Sequence, residues 1–267
     1  MKTVWIVNYY AGIPETMGNA RHFEFAKHLI EAGYMVRVFR ANSSSSTIEF
    51  DNKEYINKEY GGVSYTHIKV KAYEGNGIKR MLSIFQFAWR FFLFRNEFEK
   101  PDVILQNIHA PFDFPVVWGA KRLNARYIAE AWDLWPHYFV TFGLISAKNP
   151  VMKWAYSIER KMYEKASDII FTFEGGVDYL CWHKWTTVAK GKIDIRKVHY
   201  INNGILLKEF YDNVYQYPND DADLNRKDKF KVIYLGSIRL VNNVKQLIDA
   251  ANVLKGDDRF SFLIYGN

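Results

Sequence analysis

Short β-branched and aromatic runs alternate along the chain with segments of helical period, the pattern of a parallel sheet covered by helices. Thr3–Val7 predicts a first strand, NYYAGIPETMG a turn after it, and residues 19–32 a helix. That helix would show Phe23, Ala26 and Ile30 on one face and stop at Gly33. Residues 35–39 predict the second strand. Residues 43–62 are polar, with SSSS and the Gly61-Gly62 pair, and are expected as a loop or excursion at the sheet edge. Residues 63–70 predict a third strand of open register, and residues 78–99 a long helix whose continuation Pro101 blocks. Residues 103–106 begin the next strand. A helix over 114–123, a strand over Arg126–Ala131 and a helix from Pro150 to Lys165 follow, and KASDIIFTFE marks a further helix-to-strand boundary.

The pattern lapses over residues 213–229, which offer little that could bury a face, and then restarts. FKVIYLG reads as a strand and turn, residues 244–254 as a helix and FSFLIYG as a second strand. With fewer than about 40 residues, this last unit is too small for an independent core. The expected organisation is a domain over 1–204, a linker over 205–229 and the beginning of an incomplete second domain over 230–267. The natural protein is expected to continue, or its remainder to lie outside this chain.

Composition narrows the function classes only modestly. An apolar fraction of 49% supports a packed core. The net charge of +7, from 36 Lys and Arg against 29 Asp and Glu, favours anionic partners. It does not choose among nucleic acid, anionic lipid and sugar phosphates, but no nucleic-acid module is recognisable. The single cysteine, Cys181, excludes an internal disulfide. The greasiest stretch, MLSIFQFAWRFFLF, is interrupted by Arg90 and falls short of the roughly 20 residues that span a bilayer, so a cytoplasmic location is expected. No HExxH pair, cysteine cluster or acidic box is present, and no metal is expected. Walker A and GxSxG motifs are also lacking.

Candidate chemistry gathers after the predicted strands, where an open parallel sheet forms its crevice. Gly12 and Gly18 follow the first strand, without a GxGxxG spacing, and read either as close backbone approach to a ligand or as simple turn glycines. Arg21 is either a partner for an anionic substrate or a solvated helix residue. His109 follows another strand; it either donates to a phosphate or hydroxyl or stacks under Pro111 or Phe112. In EAWDLWPH, Asp133 has the carboxylate to accept from a sugar hydroxyl, the alternative being a cap or salt bridge. Trp135 can pack on a pyranose ring, and His137 can assist an anionic acceptor or sit on the surface. Glu174 precedes Gly175 and Gly176, and a second anion there would repel phosphate. Asn203-Gly204 reads as a tight turn. Residues 78–99 combine Lys79, Arg80, Arg90 and Arg95 with six aromatics, which suits either an anionic membrane surface or core packing with ordinary basic exposure.

Four stretches in order, NYYAGIPETMGNARHFEFAKHLIEAGYMVRVF, ARYIAEAWDLWPHYFVTFGLI, KASDIIFTFEGGVDYL with KVHYINNGI, and VIYLGSIRLVNNVKQLIDAANVL, resemble the family 4-like retaining glycosyltransferases. That large family includes capsular and lipopolysaccharide sugar transferases. The resemblance implies an α/β fold of GT-B type, a Rossmann-like parallel sheet flanked by helices with a second Rossmann-like domain incomplete here. It further implies a cleft with acceptor recognition mostly N-terminal and a nucleotide sugar held mostly by the C-terminal domain. The activity implied is metal-free, cofactor-free hexosyl transfer from a nucleoside diphosphate sugar to a glycan or lipid-linked acceptor in cell-surface polysaccharide biosynthesis. Asp133 and His109 would then serve the reaction centre, and Gly12, Gly18, Arg21, Trp135 and His137 the acceptor. Gly236, Arg239 and Lys245 would serve the donor phosphates, although Ser237 stands where relatives commonly carry Arg. Relatives often carry a basic residue in place of Trp132. The family's later pair of glutamates has no counterpart before Asn267, so this chain as it stands is not expected to bind donor normally. Two other readings compete: a non-catalytic acceptor-binding or assembly protein, recognised by glycan binding without transfer, and a nucleotide-sugar epimerase, recognised by its product.

Overall fold

The computed structural model describes residues 1–14, 21–42, 48–75, 77–239 and 242–266. The chain divides into two compact units, Met1–Gly204 and Ile205–Asn267. In the first, strands β1 (Thr3–Val7), β2 (Met35–Ala41), β3 (Tyr55–Tyr60), β4 (Val63–Ile68), β5 (Val103–Asn107), β6 (Arg126–Ala131), β7 (Asp168–Phe171) and β8 (Val198–Tyr200) form one sheet. Their order is β3-β4-β2-β1-β5-β6-β7-β8, and every pairing is parallel except β3 with β4. The helices are α1 (Arg21–Glu31), α2 (Ile78–Phe94), α3 (Pro115–Leu123), α4 (His137–Thr141), α5 (Pro150–Lys165) and α6 (Gly176–Trp182).

Alternation along the strands builds two apolar layers. Trp5, Val7, Phe39, Ile104, Ala129 and Phe171 face one side and meet Ile84, Phe87 and Phe91 of α2, Val116 and Ala120 of α3, Met162 and Tyr163 of α5, and Leu180 of α6. Removing each large side chain such as Phe87 or Phe91 from water contributes about 1.5–3 kcal/mol. Val4, Ile6, Val36, Val38, Tyr65 and Leu105 face the other side and meet α1. There the expected face of α1 is displaced. Arg21, His22 and Ala26 are its buried residues, whereas Ile30 is 37% exposed. Gly176 opens α6 against the sheet so closely that a Cβ would lie 2.3 Å from the Phe171 ring, which only glycine permits.

The segment 43–62, expected as a loop or excursion, contains β3, a polar strand antiparallel to β4 at the sheet edge. The helix expected to Glu99 ends at Phe94 and tightens into a 3-10 turn over Arg95–Glu97. The second unit holds α7 (Leu207–Gln216), α8 (Ala222–Asn225), β9 (Phe230–Leu235), α9 (Val244–Val253) and β10 (Phe260–Tyr265). Strands β9 and β10 pair in parallel, Phe230 opposite Phe260 and Leu235 opposite Tyr265. Helix α7 covers much of the segment expected as linker, and none of its residues is buried.

Candidate functional site

The central strands β1, β5 and β6 end side by side, Val7 opposite Gln106 and Asn107 opposite Glu130. Beyond these ends lies a cavity of about 210 Å³ lined by Tyr10, Arg80, Asn107, Ile108, His109, Trp132, Asp133 and Trp135. The crevice beyond the carboxyl ends of parallel strands is where open α/β sheets bind ligands. Of the residues singled out in the sequence, His109, Asp133 and Trp135 share this cavity.

Each wall has an identifiable support. Arg80, from the first turn of α2, donates through Nε to the Tyr10 hydroxyl at 2.6 Å. Its guanidinium lies 5.3 Å from the Tyr10 ring centre and 5.7 Å from that of Trp135, within cation-π range. Burial raises the Tyr10 pKa, the Tyr73 hydroxyl adds to this, and Arg80 pulls the other way. Tyr10 therefore keeps its proton at neutral pH. His109 meets Tyr10 and Trp135 edge-on, with ring centres 5.2 and 5.9 Å away. Its backbone N–H donates to Asp113 Oδ2, which also lies 3.6 Å from the ring Nδ1. Asp133 is exposed at the rim.

Behind the Trp132 wall is a buried ionic cluster. Glu130 is fully buried; its Oε1 accepts from Arg21 Nε at 3.0 Å, and its Oε2 accepts from His22 Nε2 and Trp132 Nε1, each at 2.7 Å. Asn8 explains the His22 orientation. Its Oδ1 accepts from the Tyr10 N–H, which turns Nδ2 toward His22 Nδ1 at 3.0 Å and leaves Nε2–H to donate to Glu130. Burial pushes the Glu130 pKa up, but His22 and Arg21 outweigh it and hold the carboxyl below its ordinary value.

Arg21 is thus buried and bonded within the protein, not solvated on its helix. Besides Glu130 it donates to the carbonyls of Ile201 and Asn202 and to Asn203 Oδ1, at 2.9, 2.7 and 3.2 Å, and so ties α1 to the segment after β8. Gly12 is buried, with its carbonyl accepting from the Tyr65 hydroxyl at 2.9 Å. His137 lies apart from the cavity. Its Nδ1 is 2.9 Å from the Tyr156 hydroxyl, its ring packs among Tyr179, Trp182 and His183, and burial lowers its pKa. Gly18 lies outside the described residues. Tyr10, Arg80 and Asn107 were not foreseen as cavity walls. For Tyr10 and Asn107, the strand-end position that pointed to His109 would have sufficed. Arg80 carries no such signal, since its helix reaches the cavity only through the sheet order.

In the second unit, Gly236 follows β9 and donates its N–H to the Tyr265 carbonyl at 3.0 Å. A Cβ on Gly266 would lie 1.8 Å from the Gly236 oxygen, so the two strand ends pass within a distance that glycine alone allows. Arg239 is exposed, and Lys245 pairs with Asp249 one turn along α9 at 2.6 Å. Among the described residues no three His, Cys, Asp or Glu side chains converge on a metal position.

A parallel sheet with a polar, aromatic-walled crevice at its carboxyl edge defines a Rossmann-like α/β protein. Residues 19–204 match the model of the glycosyl transferase 4-like domain, and the chain belongs to that family. The fold agrees with solved GT-B structures. The catalytic domain of starch synthase IV from Arabidopsis thaliana, bound to ADP and acarbose, superposes with a TM-score of 0.61 at 14% identity, covering 99% of this chain and 68% of that one. A UDP-forming α,α-trehalose-phosphate synthase from Burkholderia vietnamiensis gives a TM-score of 0.61 at 12% identity, with 98% and 64% covered. The chain thus spans about two thirds of the length of these structures. No curated protein sequence matches it.

Proposed function

We propose that the protein carrying this chain transfers a hexosyl group from a nucleoside diphosphate sugar to a hydroxyl of a glycan or lipid-linked acceptor in cell-surface polysaccharide synthesis. The reaction retains anomeric configuration and uses no metal. The observation that carries this reading is the meeting of Asp133, His109 and Trp135 in one cavity at the ends of β1, β5 and β6. Its aromatic walls suit the C–H face of a sugar ring, and its few polar groups suit hydroxyls. Asp133 accepts from the acceptor hydroxyl and orients it, rather than acting as a nucleophile. His109 supplies a hydrogen bond beside it, and Trp135 packs on the ring.

On the donor side, Gly236 offers close backbone approach, and Arg239 and Lys245 offer charge for the departing diphosphate. The ADP and UDP in the descriptions of the two similar structures support a nucleoside diphosphate donor. Product analysis with a panel of nucleoside diphosphate sugars tests the reading. A new glycoside with the donor's anomeric configuration, formed together with free nucleoside diphosphate, is expected. An epimerised nucleotide sugar formed without acceptor, or glycan binding with no turnover, would contradict it.

A further inference from the structure

Helix α2 buries Ser83, Ile84, Phe87, Ala88 and Phe91 against the sheet. A surface helix ordinarily turns polar residues away from its core face. Here the opposite face carries Ile78, Leu82, Phe85, Trp89 and Leu93, spaced by four, three, four and four residues and 78%, 62%, 45%, 40% and 52% exposed. The aromatics that looked evenly distributed in the sequence are thus sorted into a core face and a single outward stripe. Phe85 and Trp89 stack with ring centres 6.2 Å apart, and Phe92 leads across to Trp118 of α3, itself 46% exposed. A groove of about 420 Å³ runs between Trp89, Phe92, Trp118, Lys121 and Arg122.

Charge identifies what covers this face. Neither α2 nor α3 contains an aspartate or glutamate, and the stripe is flanked by exposed Lys79 at one end and by Lys121 and Arg122 beside Trp118. An acid-free apolar stripe with aromatic and basic borders is complementary to an anionic lipid surface. No helix among the described residues is long and apolar enough to cross a membrane. We infer that the outer face of α2 and α3 docks flat on an anionic bilayer. The same helix carries Arg80, a wall of the strand-end cavity, two residues beyond Ile78 at the start of the stripe. Presentation of a lipid-linked acceptor there rests on the transferase reading, whereas the bilayer contact does not.

Co-sedimentation of the full chain with vesicles tests the docking, using phosphatidylcholine alone and phosphatidylcholine with phosphatidylglycerol. At low salt the chain should bind the anionic vesicles at least about tenfold more tightly than the neutral ones. Leu82→Glu with Trp89→Glu should lower that binding at least about tenfold while leaving thermal unfolding unchanged. Lys121→Glu with Arg122→Glu provides a second variant outside the stripe and should weaken binding to anionic vesicles selectively. Absence of binding by the folded chain, or stripe and basic variants that bind as well as the parent, would overturn the inference. So would a dimer in sedimentation velocity that the stripe variant disperses, because the face would then belong to a second copy. No donor or acceptor enters the assay, so failure of sugar transfer leaves its result intact.

Discussion

Glu130 on β6 and Glu159 on α5 are both fully buried in the first unit, yet their surroundings are opposite. Glu130 meets Arg21, His22 and Trp132, and the two basic residues hold its pKa below the ordinary value despite burial. Glu159 meets the Tyr179 hydroxyl, 3.0 and 2.8 Å from its two oxygens. Burial raises its pKa well above the ordinary value, and the hydroxyl offsets only part of that. A phenol has one proton to give, so a protonated Glu159 donating back satisfies the second contact. The same side chain is therefore a charged tie in one place and a neutral packing group in the other. Only the charged one stands directly behind the cavity, where it fixes the indole that forms part of the wall.

The comparison can be broken most forcefully at Glu130. Replacing Glu130 with Gln leaves Arg21 buried without a counter-charge, and urea unfolding at neutral pH should show a loss of about 3–5 kcal/mol. A loss below about 1 kcal/mol would mean that the cluster is not held by charge. Glu159→Gln should be far milder, within about 1 kcal/mol of the parent near pH 4, since both side chains are then neutral.

The pH dependence sharpens the contrast because the two carboxyls have opposite signs. The stability that Glu130 contributes is present above the ordinary carboxylate value of 4.5 and is lost as pH falls through its depressed folded value. The contribution of Glu159 is full below 4.5 and is lost as pH rises through its raised folded value. Glu159→Gln should therefore gain on the parent by up to about 1.4 kcal/mol per pH unit as pH rises from 4.5 toward that raised folded value, and no further above it. Parallel stability curves for the two proteins would contradict a neutral Glu159.

Much of the sheet was legible because its central strands bury both faces. Thr3–Val7 is buried throughout, and its apolar run marks it without ambiguity. Strand β3 was not legible. YINKEY is largely solvent-facing, and its strand conformation comes from pairing with β4 rather than from its own pattern. In the site, His109, Asp133 and Trp135 could be found because they follow parallel strands, a position with general meaning. The burial of Arg21 was not legible because its partner Glu130 lies 109 residues further along the chain, and no local pattern announces that a helix will begin with buried charge. The division of α2 into a core face and an exposed face was equally hidden, since both faces are apolar.

The transferase reading rests most heavily on Asp133. Being exposed at the rim, Asp133→Asn should change unfolding free energy by no more than about 0.5 kcal/mol. The direct measurement is the steady-state kinetics of sugar transfer by the natural protein and its Asp133→Asn variant. The account predicts a fall in kcat/KM of about 100-fold with unfolding unchanged; unaltered transfer kinetics would contradict it.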